Sequence, residues 1–465
     1  MKTIKIAYIG GGSKLWARSF MQDLALAEGI RGEVALYDID REAAIRNQKI
    51  ATRIHQKENA VSDFVYTVAD SLPQALTGAD FVLISILPGS FKEMRSDVHE
   101  PEKYGIVQPV GDTVGPGGVL RAMRTAPIYE GFALAIKEYC PDAWVLNLTN
   151  PMSACVKTLY TTFPEIKAFG CCHEVFHAQD YLCCALKELK GIDVKRSDIY
   201  TDASGVNHFT WITEAKYQNT DLLALLPEFM ANHPDGFYEN GADDAWKTNP
   251  FAYGNLVKYS LYQRYGALAA AGDRHLVEFC NNNWFLATPE NAADWHFGLT
   301  TVDYREANQA KQIADSIAMA EGMMDVPLAP SGEELVELLR AILGLTTVVS
   351  NVNMPNRGQM PGLPEGTIVE TNCVFSNGYV KPVTAKALPA GALALVQRNA
   401  ANIDLTCEGI RDRDLDKLLA AFMNQPLCST LSWEDGKKLF HTMVQNTWNC
   451  LSPYYPQPDW VTSAE

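Results

Sequence analysis

Residues 171 to 177 read CCHEVFH, and five of the seven side chains can hold a metal. His173-Glu174-x-x-His177 is the short pattern of zinc hydrolases, with two imidazoles one helical turn apart and a glutamate base beside them. That chemistry needs both histidines mid-helix and a third ligand downstream, and its extended form asks for a glycine where this chain has Asp180. The pattern is therefore read as coincidental, with His177 an ordinary helix residue. The better constellation joins Cys172 to His208, which lies in GVNHFTW at residues 205–211. Alone among aromatic neighbours, His208 would read as a hydrogen-bonded core histidine. A thiolate and an imidazole together give a divalent ion two protein ligands and leave positions open for water or substrate, as a catalytic metal requires.

A second group of residues speaks of a dinucleotide. Gly10, Gly11, Gly12 and Ser13 follow an apolar run and precede a helical one. Glycines there let the backbone approach a pyrophosphate at a helix amino end. The fingerprint is incomplete, because Leu15 stands where its third glycine belongs. Support comes from Asp38, at the end of the next apolar run, where a carboxylate can accept both ribose hydroxyls and would repel a 2′-phosphate. NAD is thus favoured over NADP.

The elements that must carry these residues alternate. IKIAYI, EVALYDID, FVYTVAD, DFVLISILP, AWVLNLTNP and IKAFGCC read as six short strands separated by helical stretches. That alternation describes an α/β chain opening on a doubly wound, Rossmann-type parallel sheet. Ligands gather at the carboxyl ends of such strands, where Asn150-Pro151 and Cys172-His173 fall. After about residue 200 the alternation loosens into a mixed α+β pattern, so residues 1–195 are read as an NAD-binding domain and 196–465 as the substrate and catalytic domain. In the second part Ser331-Gly-Glu-Glu334 fits a capping box, Asn377-Gly378 fits a type I′ hairpin, and PYYPQPDWVTSAE reads as a loosely ordered or partner-contacting tail.

Composition narrows the partners. The net charge of −16, from 39 basic and 55 acidic residues, argues against nucleic acid or anionic membrane. No apolar run reaches the roughly 20 residues of a membrane span, and the opening MKTIKIAYIGGG reads as a strand rather than a secretory signal. Eleven cysteines, an odd number and without a C-x-x-C, fit a reducing cytoplasm rather than a disulfide framework.

The motifs IAYIGGGS, VGDTVGPGG, LNLTNPM, GCCHEVF, GVNHFTWIT and AAGDRHLVEF, in this order, resemble those of the family 4 glycoside hydrolases, and the resemblance extends over nearly the whole chain, most closely to the α-galacturonidases of that family. NAD-dependent members of the family depart from two-carboxylate glycoside hydrolysis. The resemblance implies recycled NAD+ that oxidises C3 of the sugar, removal of the acidified C2 proton, loss of the aglycone, addition of water and re-reduction. It implies that Cys172 and His208 hold a divalent cation, commonly Mn2+, and that His173 occupies the position of the general acid. It matches Asn150 and Arg95 to substrate contacts and Asp112 to an acid that tunes the base, for which Asp273 is expected, with Tyr265 in reserve. It also implies a homodimer or homotetramer.

A uronide carboxylate calls for a bidentate guanidinium. Arg274, beside His275, is the first candidate, with Arg95 and Arg124 as others. The sequence itself does not separate an α-galacturonide from an α-glucuronide or galactoside; that choice comes with the resemblance. Two rival readings remain: a malate/lactate-type NAD dehydrogenase, which would need no metal, and an NAD-binding sensor without turnover.

Overall fold

The computed structural model describes residues 1–238, 244–288 and 290–461. Strands β1 (Lys2–Ile9), β2 (Ile30–Tyr37), β3 (Asp63–Val68), β4 (Phe81–Ile84), β5 (Trp144–Asn147) and β6 (Lys167–Gly170) pair in parallel, in the order β3-β2-β1-β4-β5-β6. Helices cover both faces, which is why a run such as Phe81–Ile84 is apolar and buried at every position rather than alternating. This is the doubly wound arrangement expected from the sequence.

The sheet does not stop at β6. Strands β7 (Tyr200–Val206), β8 (Phe209–Tyr217), β9 (Thr220–Asp221), β10 (Leu268–Ala269), β11 (Val348–Pro355), β12 (Ile368–Ser376) and β13 (Tyr379–Pro382) are antiparallel and extend it in the order β6-β11-β12-β7-β8-β10. The join is narrow. Asn353 of β11 opposes Gly170 of β6, and Glu370 and Thr371 of β12 oppose Gly205 and Ser204 of β7. A side chain at Gly170 would run into Met152 and Asn353, so only glycine lets the two strands meet. The carboxyl end of β6, the β7–β8 turn and the middle of β11 and β12 converge at this seam, and there the sequence had placed its metal ligands.

The chain also folds back on its first part. The helices Val302–Glu321 and Leu335–Ile342 set Ala320, Leu335, Val336 and Leu339 into the same core as Ile6, Leu24 and Val34. The long helix Gly115–Tyr139 carries Val119, Leu120 and Met123 into the core formed with the C-terminal helices Ala390–Asp412, Leu415–Met423 and Trp433–Asn446.

Local expectations fared unevenly. Asn377 and Gly378 take φ of 40° and 87° between β12 and β13, as a type I′ turn requires. Ser331 does not cap the helix Leu335–Ile342, whose N-cap is Glu334; the Ser331 amide and hydroxyl donate to Asp23, and the hydroxyl oxygen accepts from the Glu333 amide in the turn before the helix. The tail is ordered through Val461, which is buried, with Trp460 stacked on His441; residues 462–465 lie outside the described residues. No helix among the described residues is long and apolar enough to cross a membrane.

Candidate active site

The glycine turn is held from both sides. Tyr37 O accepts from the amides of Gly10 and Gly11, and Asn47 donates to the carbonyls of Gly11 and Ser13. Gly10 has φ 86°, and a side chain there would collide with Ser85 O. Asp38 Oδ2 accepts from the Gly12 amide at 2.8 Å, and a side chain at Gly12 would meet that same carboxylate oxygen. The turn and the β2 acid therefore form one unit, a backbone cradle that any side chain would fill. This fits a dinucleotide. The helix begins only at Trp16, past Leu15, so the turn is longer than the one the sequence suggested.

At the seam, His208 occupies the β7–β8 turn with φ 64°, in the left-handed region that few non-glycine residues adopt. Its ring packs on that of His275, centroids 4.1 Å apart, and both side chains are buried. Asp112, His208 and His275 each present a ligand atom, and the three atoms lie within 4.8 Å of one another. His275 Nδ1 is buried without a hydrogen-bond partner. Burial holds both imidazoles below their ordinary pKa, so each offers a lone pair. This donor set of carboxylate and neutral imidazoles suits a divalent cation such as Mn2+.

Cys172, expected as a ligand with His208, is not part of that group of three. It follows β6, is buried, and its thiol is pushed up by burial and then by Glu370 and Glu174. Glu370 accepts from Asn351 Nδ2 at 2.8 Å and from Thr210, and burial raises it to about 7. Glu174 accepts from the Gly272 amide at 2.7 Å and lies 3.5 Å from His275 Nε2; despite burial, His275 and His173 keep it well below the usual carboxylate range.

His173 opens the helix Glu174–Lys190, with Nδ1 3.4 Å from Glu333 Oε1 and its ring against Trp16 and His177. Burial works to lower its pKa, but Glu333 and Glu174 outweigh it and the net shift is upward, favouring histidinium. Asn150 Oδ1 accepts from Asn207 next to His208, and its carbonyl accepts from Arg121. Asp112 is kept ionised against burial by Arg121 and Arg305.

The arginines divide. Arg274 lies over the Phe251 ring at 4.3 Å and, among the described residues, donates a single long 3.5 Å bond to Thr300, with its charge felt at His173, His208 and His275. Two others, expected near a substrate carboxylate, are answered by protein carboxylates instead. Arg124 pairs with both oxygens of Asp97 in the interior. Arg95 binds Asp303 at 2.7 Å and Glu306 at 3.3 Å, in a surface cleft whose wall contains none of the histidine group.

Asp273, expected as the base, accepts from the amides of Val257 at 3.3 Å and Lys258 at 3.1 Å, one on each oxygen. Asn255 gives the helix Leu256–Tyr265 no side-chain cap, so Asp273 satisfies its orphan amides from another segment. Tyr265 ends the same helix, its ring edge-on to Trp211. No hydrogen bond among the described residues joins either one to Cys172 or His208.

Sequence reasoning missed the part played by His275 and Arg305. His275 had a signal, since it follows Arg274 in AAGDRHLVEF. Arg305 had none: it sits in a helix of polar residues, and only the fold brings it beside Asp112, donating to the Val110 and Thr300 carbonyls.

Comparison with known proteins fixes the family. The model described as family 4 glycosyl hydrolase matches residues 5–188, and that of its C-terminal domain matches residues 203–428. The chain belongs to glycosyl hydrolase family 4. An α-galacturonidase of Thermoanaerobacterium saccharolyticum is 48% identical to this family 4 hydrolase over 445 residues, 96% of each chain. The crystal structure of lplD, a candidate glucosidase from Bacillus subtilis, superposes with a TM-score of 0.90 at 43% identity, covering 95% of this chain and all of that one. A 6-phospho-α-glucosidase from gut microorganisms, solved with NAD and Mn2+, shares the fold at a TM-score of 0.80 and 18% identity, over 97% of this chain and 99% of the other.

Proposed function

We propose that this family 4 hydrolase cleaves α-D-galacturonides with the help of bound NAD+ and a divalent cation, Mn2+ or a similar ion. The observation that carries the reading is Arg274: a guanidinium whose charge is felt at His173, His208 and His275 and whose one hydrogen bond among the described residues is a long one to Thr300, in a chain 48% identical to an α-galacturonidase. A galacturonide brings a carboxylate that such a guanidinium would pair in bidentate fashion.

Gly10, Gly11, Gly12 and Ser13 would cradle the pyrophosphate and Asp38 the ribose. His208, with Cys172 as the motif implies and Asp112 and His275 as the geometry adds, would hold the cation. When bound, the dinucleotide would supply reversible hydride transfer at C3 and the cation a Lewis acid for the oxygen there, which together would acidify C2–H. Three of the chain's own groups act around that centre. His173, held as histidinium by Glu333, donates a proton to the departing glycosidic oxygen. Asn150 orients the sugar, and Asp112 keeps negative charge beside the histidines. The reading includes a cytoplasmic setting, in keeping with all eleven cysteines being unpaired. It also includes a homodimer or homotetramer, which sedimentation velocity tests directly.

The decisive assay is release of 4-nitrophenol from its α-D-galacturonide in the presence of Mn2+, NAD+ and thiol, run in D2O. Expected are deuterium at C2 of the product and loss of activity with EDTA. Release that survives EDTA and leaves C2 undeuterated would remove the scheme. A parallel α-glucuronide and α-galactoside series decides the sugar.

A further inference from the structure

Thr113 stands between two groups of the site. Its hydroxyl is 2.8 Å from Asp112 Oδ1 and 3.0 Å from His208 Nδ1. A hydroxyl has one hydrogen to give. The Thr113 hydroxyl is directed at Asp112 Oδ1, and an aspartate carboxylate only accepts. The hydrogen therefore goes to Asp112, and the Thr113 oxygen must accept from His208 Nδ1–H. The opposite assignment would set two lone-pair oxygens 2.8 Å apart with no proton between them. A neutral imidazole carries its proton on one nitrogen, so His208 Nε2 is left with the lone pair.

We infer that Thr113 is a positioning residue: it relays the Asp112 charge to His208 Nδ1 and so fixes the ring and tautomer in which Nε2 is open to a divalent cation. The fold supports the relay from its far side. Thr113 lies just before the helix Gly115–Tyr139, in a loop whose Val110 and Gly111 amides are both held by buried Glu278 at 2.8 Å. The His275 ring packs against the His208 ring, centroids 4.1 Å apart. A partner on the second ring nitrogen of a metal-binding histidine is commonly worth 10–100-fold in affinity. The inference rests on the reading that His208 holds the cation, and the experiment separates the two.

Metal-stripped protein is titrated calorimetrically with Mn2+ in four forms: wild type, Thr113→Val, Thr113→Ser and His208→Ala. Removing the hydroxyl while keeping the shape should weaken Mn2+ about 10–100-fold, and serine should restore binding to within about threefold of wild type. A Thr113→Val protein that binds Mn2+ as wild type does, while His208→Ala does not, overturns the relay and leaves the cation site standing. Wild-type binding by His208→Ala overturns the site itself. Ring 15N shifts of His208 in metal-free wild type, assigned by their loss in His208→Ala, give a readout independent of how Thr113→Val folds. A protonated Nδ1 is expected, and a protonated Nε2 refutes the inference.

Discussion

Arg274 and Asp273 are neighbours in the chain with opposite surroundings, and the contrast yields two predictions at the scale of the residue. Among the described residues Arg274 has a single long hydrogen bond, which leaves its other donors for a substrate carboxylate. Arg274→Met should lower kcat/KM for the galacturonide by about 100-fold, the size of a charge-assisted hydrogen bond. Arg274→Lys should recover only part of it, because an ammonium cannot repeat the fork. The same Met substitution leaving galacturonide kinetics unchanged would refute the clamp. Asp273, in contrast, has both oxygens on backbone amides, and burial raises it to about 6. Asp273→Asn should lower the melting temperature and leave the kcat of the folded fraction within about threefold, as loss of a helix cap does. A fully folded variant with no turnover would instead return Asp273 to the role of base. The sequence displayed the residue types of this site well and their partners poorly. His208 and Arg274 could be singled out by type and motif, but whether a carboxylate faces a sugar or a helix end depends on where Val257 and Lys258 come to lie.

At the scale of the element, the loop carrying Asp112 and Thr113 is anchored by a buried acid. Glu278 accepts from the Val110 and Gly111 amides through Oε1, while Oε2 has no hydrogen-bond partner among the described residues. Burial lifts its pKa to about 8, with the two amides pulling the other way. An unfolded glutamate ionises near 4.3. From there to about 8 the folded chain binds the extra proton, so raising the pH across that window removes stability. Glutamine can keep Oε1 on the same two amides without a charge to lose. Glu278→Gln should therefore gain melting temperature relative to wild type at pH 8 compared with pH 5, and an equal difference at both pH values would contradict the assignment. The glycine turn gives a second element-scale test. Gly12→Ala would drive a methyl into Asp38 and Ala43, so NAD+ affinity measured by fluorescence should fall steeply; unaltered affinity would dissociate the turn from the cofactor. Of the elements, the six parallel strands and the Asn377-Gly378 hairpin were legible because each is written in local period and turn chemistry. The Ser331 cap was not, because Asp23, more than three hundred positions earlier, ties Ser331 into a turn and the helix starts only after Glu334.

For the molecule as a whole, the order of strands in space matters more than their order in the chain. Alternation ends near residue 200, and a reader of the sequence divides the protein there. In space β11 and β12, from residues 348–376, stand between β6 and β7 and join the parallel and antiparallel parts into one sheet. The helix Leu335–Ile342 covers the face of the first part beside Ile6 and Val34. No local pattern could announce this, since a pairing between residues 170 and 353 leaves no periodic trace. The consequence is testable. A fragment of residues 1–195 would contain every element of the dinucleotide cradle, yet it would expose the β6 edge and the apolar surface now buried by Leu335, Val336, Leu339 and Ile342. Unpaired edges and uncovered apolar faces favour association over folding. The fragment should aggregate or unfold without a cooperative transition and should not bind NAD+, whereas residues 1–195 co-expressed with 196–465 should recover a soluble complex. A monomeric fragment that melts cooperatively and binds NAD+ as the full chain does would show that the returning strands and helices are dispensable to the first part, and that the cradle and the cation site are separable units rather than two ends of one sheet.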